Sequence, residues 1–345
     1  MAEESLMTSH LSDAMTTTEV DQTCTTNGEG LTPSSYSFDT EFYFELAVVF
    51  IGIIGIAGNA LVLYALIATK QHKKHVLIVN QNALDFFSSF FLVLVYILKL
   101  YYNHLSGSLG YWLCTVLLSE YPVWVGCHGS TINLAIITID RYLKVVHPVW
   151  SRKYVRPWVI HCAAVSSWLL SIVPHTQVFL TTAVIDGQCI GYLAASDLTS
   201  LILGTLLLMC FYVIIMVIFI FCYGRILVAI RRQARVMAAH SGPGSTNFQA
   251  LSNQIQANVI KTMILVSALF AITWLPMNVY VTVTMFVPEL SFNGYLYYVA
   301  MFIAFLYTCT NPFIYATKFD AVRKVLLTMI PCQSTIQPAD ETGVA

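Results

Sequence analysis

The sequence predicts an all-α membrane protein, a seven-transmembrane helix bundle followed by a short amphipathic eighth helix. Of the 345 residues, 57% are hydrophobic and only 10% are charged, whereas a soluble domain usually carries about 25% charged residues. The apolar residues form long blocks with polar borders, and each block can supply the roughly 20 residues that cross a bilayer. These observations exclude a water-soluble globular domain.

The predicted elements follow one another along the chain. A polar, acidic tail of residues 1–42 lacks the apolar core of a signal peptide, so the first span is expected to direct insertion. The bundle occupies residues 43–317, followed by an amphipathic surface helix at 318–332 and a short cytoplasmic tail at 333–345. Its seven predicted spans are residues 43–69, 76–102, 111–146, 158–180, 200–228, 256–287 and 294–317.

The distribution of lysine and arginine predicts the orientation. With the N-terminus outside the cell, 16 of the 17 basic residues fall on the cytoplasmic side, and only Lys99 lies toward the outside. Positive charge resists translocation, so we reject the opposite orientation, which would place nearly all of them outside. We expect a multi-pass plasma-membrane protein with an extracellular N-terminus.

The predicted orientation also assigns each of the nine cysteines to the outside, to a span or to the cytoplasmic side. Cys24, Cys114 and Cys189 face the oxidising side, where disulfides form. Cys114 begins span three and Cys189 lies in the middle of the loop between spans four and five, which makes them the natural pair. Cys24 could compete for either partner, because connectivity does not follow from sequence alone.

Strongly polar side chains inside a span indicate function, because a centred aspartate costs about 2.5–3.5 kcal/mol on insertion scales. Asp85 lies in the middle of span two. It is either a protonated acid that is hydrogen-bonded between helices or a carboxylate that holds a cation with oxygens from Ser130 and Asn311, and we favour the cation. Asp140-Arg141-Tyr142 ends span three, where it opens a basic loop.

Two prolines interrupt the spans. Trp274-Leu275-Pro276 lies in span six, and Asn311-Pro312-Phe313-Ile314-Tyr315 lies near the inner end of span seven. Proline removes one backbone hydrogen bond and kinks a helix. A tryptophan beside one kink is more often a core residue, but two kinked helices with adjacent aromatic residues indicate a bundle that can hold two packings.

These motifs resemble those of the rhodopsin-like class of G-protein-coupled receptors, over residues 43–332. Each motif is short, but their order on successive helices is specific. The matching residues are Gly58-Asn59, Asp85, Asp140-Arg141-Tyr142, Trp168, Tyr223, Phe270, Trp274-Leu275-Pro276 and Asn311-Pro312-Phe313-Ile314-Tyr315. The resemblance implies a receptor without enzymatic activity that binds an extracellular ligand and promotes nucleotide exchange on a heterotrimeric G protein. Arrestin, a receptor kinase and membrane lipid are further expected partners, and nucleic acid is not.

The resemblance also implies roles for individual residues. Asp85, Ser130 and Asn311 would form a sodium site that favours the inactive state, and Cys332 would carry a palmitoyl anchor or remain a free thiol. The residues expected to couple ligand binding to the G protein are Asp140, Arg141, Tyr142, Tyr223, Phe270, Trp274, Pro276, Asn311, Pro312 and Tyr315.

The sequence departs from the family pattern in three places. Cys114 and Arg141 enclose 26 residues, two more than is usual, and Pro122 lies between them, which predicts a bulge or kink in the outer third of span three. Tyr307 replaces a small polar residue at the sodium site. Gln256 replaces an acidic partner of Arg141, which leaves a ligand-independent, constitutively active receptor or a receptor-fold scaffold as the alternative function.

Matching positions also limit the ligand. An amine receptor would have an aspartate at Tyr121 or Val123, and an opsin would have a retinal-binding lysine at Phe305, so we expect neither an amine ligand nor retinal. An acidic exterior favours a peptide by long-range steering, with a lipid or another small molecule as alternatives. Glu120 either receives a cationic group of the ligand or is a glutamate at the lipid interface or paired with a loop. The expected pocket residues are Glu120, Trp124, Trp274, Met277, Asn278, Tyr298 and Met301.

Overall fold

Seven helices are long and apolar enough to cross a membrane among the residues described by the computed structural model. The described residues are 33–101, 104–176, 182–190, 198–240, 247–284, 286–287, 294–318, 322, 323, 325 and 328. The seven spans are Thr40–Ala68, Val76–Tyr101, Gly107–Val146, Pro157–His175, Phe211–Gln233, Ile260–Thr284 and Tyr295–Thr317. They confirm the predicted seven-helix bundle.

The helices do not end where the apolar blocks end. In chain order they are α1 (Pro33–Ala68), α2 (Val76–Tyr101), α3 (Gly107–Trp112), α4 (Tyr121–Val146), α5 (Pro148–Tyr154), α6 (Pro157–His175), α7 (Leu198–His240), α8 (Asn247–Thr284) and α9 (Tyr295–Lys318). The end of α7 and the start of α8 extend beyond spans five and six because these segments are rich in Arg, Gln and Ala, which favour a helix in water.

Span three is interrupted where the sequence predicts a bulge. After α3 the chain forms a π-helical turn at Leu113–Leu118, and α4 begins at Tyr121. Glu120 lies between them with φ of 61°, a left-handed conformation that is uncommon for a residue other than glycine. Pro122 occupies the first turn of α4, where a missing N–H costs nothing. The π-helical turn and the break accommodate the longer spacing between Cys114 and Arg141.

A short β-hairpin lies between spans four and five. Strands β1 (Ala183–Ile185) and β2 (Gln188–Ile190) pair antiparallel, with Val184 opposite Cys189. Their two-residue turn, Asp186-Gly187, has φ of 51° and 77°, as two-residue hairpins require. Cys189 forms a disulfide with Cys114, which confirms the predicted pair. We call this end of the bundle the disulfide end and the opposite end, where Arg141 lies, the arginine end.

Span three is at the centre of the bundle, since α4 packs against α2, α6, α7 and α8. Polar side chains face inward, and among the fully buried ones are Asn59, Gln81, Asp85, Ser130, Asn133 and Asn311. Large apolar side chains such as Phe50, 66% exposed, and Ile220, 69% exposed, face outward. This arrangement suits a lipid surrounding, in which polar groups must be satisfied within the protein.

The proline in span seven leaves a backbone carbonyl without its helical hydrogen bond, and a side chain of span one supplies the missing donor. Pro312 has no N–H to offer the carbonyl of Thr308 four residues earlier. The side-chain amide of Asn59 donates to that carbonyl at 3.0 Å. A Cβ at Gly58 would lie 2.9 Å from the Pro312 ring, so the glycine permits the close approach. The Gly58-Asn59 motif therefore packs span one against the kink of span seven.

Some predictions fall mainly outside the described residues. The tail of residues 1–32, Cys24, Cys332 and residues 333–345 belong to this part of the chain. Of the predicted amphipathic helix, residues 322, 323, 325 and 328 are described and helical, and Val322 is buried against the core. The eighth helix as a whole stays a prediction.

Candidate functional site

A cluster of aromatic side chains lies in the bundle around Trp274, two residues before the span-six proline. The ring centroid of Trp124 lies 6.2 Å from that of Trp274 and 5.8 Å from that of Phe305. Tyr96 of span two extends the cluster, 6.1 Å from Phe305. Two predicted pocket residues, Trp124 of span three and Trp274 of span six, are therefore in contact. Phe305 of span seven packs beside Trp124.

Four further residues predicted to line the pocket lie close in sequence to this cluster, namely Met277, Asn278, Tyr298 and Met301. Met277, Asn278 and Met301 are buried, whereas Tyr298 packs against Phe44 of span one at 4.8 Å. The amide of Asn278 donates to the carbonyl of Trp274 at 2.9 Å. Among the described residues, its oxygen and the indole N–H of Trp274 are buried without a hydrogen-bond partner. Such groups are costly unless satisfied, so they offer one acceptor and one donor to a ligand or to water.

Glu120 pairs within the bundle. Its Oε1 accepts from Nζ of Lys99 at 2.5 Å and from the hydroxyl of Tyr96 at 2.9 Å. Only 12% of the Glu120 side chain is exposed, so the pair is partly shielded from water and stronger than a surface ion pair. The left-handed backbone at Glu120 directs this carboxylate toward span two. A cationic group on a ligand would have to share the carboxylate with Lys99.

Phe270 connects the aromatic cluster to the middle of the bundle. Its ring centroid lies 5.9 Å from Trp274 and 5.5 Å from Tyr307. Phe219 of span five contacts it at 5.9 Å. A continuous series of ring contacts therefore runs from Trp124 to the buried polar residues around Asp85.

Asp85 is at the centre of that polar region. The hydroxyl of Ser130 donates to Oδ1 at 2.5 Å, and the amide of Asn311 donates to Oδ2 at 2.6 Å. The amide of Gln81 lies 3.5 Å from Oδ2 and also donates to the Ser130 hydroxyl. The structure thus brings Asp85, Ser130 and Asn311 together and adds Gln81, which lies one helical turn before Asp85.

At the arginine end, the carboxylate of Asp140 is held by a lysine. Nζ of Lys144 lies 2.8 Å from Asp140, whereas Nε of Arg141 lies 3.9 Å away. That Nε is buried and has no hydrogen-bond partner among the described residues. Tyr142 is half-buried against the core, and its hydroxyl lies 3.1 Å from Nε2 of His147. Arg141 is therefore only weakly tied to its neighbour.

Tyr223 joins three spans near the arginine end. Its hydroxyl lies 2.9 Å from the hydroxyl of Thr138 in span three and 2.9 Å from that of Ser267 in span six. Tyr315 of span seven is fully buried. An outward movement of span six would have to break the Tyr223–Ser267 bond, which makes Tyr223 part of the closed packing seen here.

The family follows from a match over most of the chain. Residues 58–315 match the family described as 7 transmembrane receptor (rhodopsin family). The chain belongs to this family. It is 26% identical to G-protein coupled receptor 15 of Mus musculus, over 88% of this chain and 83% of the relative. It is also 27% identical to melanin-concentrating hormone receptor 1 of Macaca mulatta, over 80% of this chain and 77% of the relative.

Membership of the rhodopsin family confirms the resemblance that the motifs indicate. The protein is a G-protein-coupled receptor and a multi-pass membrane protein, with a G protein and an extracellular ligand as its partners. It is a receptor and not an enzyme. Arg141 and Asn311, predicted from short motifs, both fall within the matched residues.

The sodium ion that the rhodopsin family implies does not fit the groups around Asp85. A hard cation requires several oxygen ligands, but the groups directed at the carboxylate are the Ser130 hydroxyl, the Asn311 amide nitrogen and the Gln81 amide nitrogen, which all donate. The buried Tyr307 hydroxyl lies 3.4 Å from the Gln81 nitrogen. Both carboxylate oxygens are thus already satisfied by protein groups. Asn311 Oδ1 is buried without a hydrogen-bond partner among the described residues, but one neutral oxygen falls short of the several ligands that a hard cation requires.

Two histidines of the receptor pocket were missed by the sequence interpretation. The ring centroid of His128 lies 5.5 Å from that of Trp274, in an edge-on contact, and 4.7 Å from that of His175 in span four, with the rings tilted. Each Nδ1 lies near the carbonyl four residues earlier, at 3.0 Å for His128 and 2.7 Å for His175. A carbonyl can only accept, so Nδ1 carries the proton and Nε2 of the neutral ring is an acceptor. An ionisable residue inside a span was the signal that could have identified both.

His75 lies between spans one and two, close to the arginine end of span three. Burial, assisted by the positive charges of Arg141, Lys74 and Lys144, lowers the pKa of His75 to about 4. His75 is therefore neutral at physiological pH. It adds no positive charge beside the already weakly paired Arg141.

Proposed function

We propose that the receptor binds an extracellular peptide at the disulfide end and promotes nucleotide exchange on a heterotrimeric G protein at the arginine end. In this arrangement the N-terminus and the hairpin face outward, and the receptor lies in the plasma membrane. The observation that supports the proposal most is the series of ring contacts from Trp124 through Trp274 and Phe270 to Tyr307. It connects the ligand pocket to residues that hold span seven against span two.

The chemistry of the pocket supports a peptide over a purely apolar ligand. Its floor is aromatic, but the Trp274 indole N–H and the Asn278 oxygen are buried without hydrogen-bond partners in the part of the chain that the structure describes. The Lys99–Glu120 pair adds one group of each charge in its partly exposed wall. A peptide offers aromatic side chains, amide groups and charges in one molecule, and so matches all three features. One relative is named as a hormone receptor, that for melanin-concentrating hormone.

Binding at the pocket would act on span six. Trp274 lies two residues before Pro276, where the helix lacks one backbone hydrogen bond. The hydroxyl of Tyr212 in span five donates to the carbonyl of Ala271 beside the kink at 2.9 Å. Movement of Trp274 would change the kink and, through it, the Tyr223–Ser267 bond at the other end. Arg141 would then become accessible to the G protein.

The test is nucleotide exchange by purified G-protein heterotrimers with the receptor in lipid nanodiscs. Pools of basic peptides, lipids and amines are compared at matched receptor amounts. A peptide pool should accelerate exchange, and Trp124→Ala should abolish that response. Trp158→Ala is the matched control, because Trp158 is 64% exposed on the outer surface of span four. A response to lipids alone, or a response that Trp124→Ala retains, would contradict the proposal.

Ligand-independent signalling is a second candidate function. Asp140 is held by Lys144 at 2.8 Å and only distantly by Arg141, so the closed state restrains Arg141 weakly. A shift of about 1.4 kcal/mol changes a two-state equilibrium tenfold. Measurable exchange without any pool would support this function. Arrestin and a receptor kinase as further partners, and palmitoylation of Cys332, remain proposals from the resemblance.

A further inference from the structure

A chain of side-chain amides connects span four to Asp85. The indole Nε1 of Trp168 donates to Oδ1 of Asn80 at 3.0 Å, and Nδ2 of Asn80 donates to Oδ1 of Asn133 at 2.9 Å. Nδ2 of Asn133 donates to Oε1 of Gln81 at 2.8 Å. The nitrogen of Gln81 then faces Asp85 at 3.5 Å. We call Trp168, Asn80, Asn133 and Gln81 the amide relay.

The direction of the relay is fixed at several points. An indole N–H can only donate, so the oxygen of Asn80 must face Trp168 and its nitrogen must face Asn133. Backbone carbonyls can only accept, and the nitrogen of Asn133 also donates to the carbonyl of Leu77 at 2.9 Å. A flipped amide at Asn133 or Gln81 would place two acceptors or two donors against each other. The relay therefore delivers an N–H group, and not an oxygen, to Asp85.

The relay also determines the hydroxyl beside Asp85. The nitrogen of Gln81 donates to the oxygen of Ser130, so the single hydroxyl proton of Ser130 is free to point at Oδ1 of Asp85, 2.5 Å away. Asn311 supplies a further N–H to Oδ2 at 2.6 Å. Every polar group directed at the carboxylate is thus a donor.

We propose that the Gln81 amide takes the place of the cation at Asp85 and makes this receptor independent of sodium. The residues involved are fully buried, including Gln81, Asn133 and Tyr307, so rearranging them to present oxygens would leave buried donors unsatisfied. The carboxylate is satisfied by protein donors alone. Through Trp168 and the amide relay, span four is thereby connected to Asp85. Asp85 accepts from Asn311 and so holds spans two and seven together.

The experiment measures the melting temperature of the purified full-length receptor in sodium chloride and in N-methyl-D-glucamine chloride of equal ionic strength. It requires neither a ligand nor a G protein, so its outcome is independent of the proposed function. Gln81→Glu is the informative variant, because it keeps the oxygen that accepts from Asn133 and replaces the donor by an acceptor. Asn82→Asp is the matched control, because among the described residues the Asn82 amide nitrogen donates to the carbonyl of Ile78 in its own helix.

We expect equal melting temperatures for the wild type in the two salts. The melting temperature of Gln81→Glu should be about 2–4 °C higher in sodium, because an ion that binds only to the folded state stabilises that state. Asn82→Asp should show no such difference. If Gln81→Glu yields no folded protein, Gln81→Ala, which removes the donor and leaves space, should gain the sodium effect instead.

Two results would overturn the proposal. One is a wild-type melting temperature that rises in sodium and loses that rise in Asp85→Asn. The other is a folded Gln81 variant that stays indifferent to sodium, since the amide would then not be the group that replaces the ion.

Discussion

Lys144 is a closer partner of Asp140 than Arg141 is, with distances of 2.8 Å and 3.9 Å. The two basic residues compete for one carboxylate at the arginine end of span three. Lys144 lies one helical turn after Asp140, and such a pair contributes about 0.3–0.5 kcal/mol. Arg141, in contrast, has a buried Nε without a hydrogen-bond partner among the described residues. We expect this competition to determine how readily Arg141 separates from Asp140.

Replacing Lys144 should therefore lower basal activity. In Lys144→Ala the Asp140 carboxylate becomes available to Arg141, and a charge-assisted hydrogen bond of about 1.5–3 kcal/mol would stabilise the closed state. We expect ligand-free nucleotide exchange to fall about tenfold. Exchange is measured with purified heterotrimers at matched receptor amounts, with Lys153→Ala in the following helix as the control. An unchanged or faster Lys144→Ala receptor would show that Asp140 does not restrain Arg141.

Loss of the disulfide should destabilise the disulfide end. Cys189→Ser releases the hairpin from Cys114, and such a bond contributes about 2–4 kcal/mol. We expect a lower melting temperature and loss of the peptide-pool response. Cys162→Ser, at an exposed free cysteine of span four, should change neither. A Cys189→Ser receptor with wild-type stability and response would mean that the hairpin is held by its other contacts, such as the bond from Leu105 to Gly187.

Asn59 should contribute more to stability than another buried asparagine. Asn59→Ala leaves the Thr308 carbonyl, which Pro312 cannot bond, without a donor, at a cost of about 1–3 kcal/mol. Asn82→Ala is the comparison, because the Asn82 amide bonds a carbonyl of its own helix at 2.8 Å. Thermal unfolding of the two purified variants should show the larger loss in Asn59→Ala. Equal losses would refute a special role at the proline.

Stability should depend on pH through His75. The pKa of His75 is lowered from 6.5 to about 4 by burial and by the charges of Arg141, Lys74 and Lys144. Between these values the unfolded chain binds a proton at His75 and the folded receptor does not, so stability falls as pH decreases from 6.5 toward 4. His75→Gln should reduce the slope of melting temperature against pH in this window. The exposed His161 is the control, and a His75→Gln slope equal to that of His161→Gln would contradict the prediction.

The sequence predicted the features that depend on composition and spacing along one helix. Long apolar blocks located the seven spans, sidedness identified Cys114 and Cys189, and the extra residues before Arg141 predicted the interruption of span three. The hydrogen-bond partners of polar side chains on different helices were harder to predict. Gln81 and Asn133 lie 52 positions apart, and only the rotation of spans two and three brings their amides together.

Other features depend on competition between nearby groups. The neutral Gln256 predicts that Arg141 lacks an acidic partner on span six, and this stays a prediction. The described contacts add a second cause of weak pairing, the competition of Lys144 for Asp140. The side chain of Gln256 lies outside the described residues. Glu120 was assigned to a ligand or to a loop, yet it pairs with Lys99, because its left-handed backbone turns the carboxylate toward span two.

In the proposed function the disulfide end receives a ligand and Arg141 at the opposite end transmits the signal. The most direct measurement is nucleotide exchange on a panel of purified heterotrimers, with and without the active peptide pool, by wild type and Arg141→Ala in nanodiscs. Melting temperature and binding of the labelled pool report folding and ligand recognition. We predict that Arg141→Ala binds the pool as the wild type does but loses its acceleration of exchange. Exchange at the wild-type rate in Arg141→Ala would contradict the account.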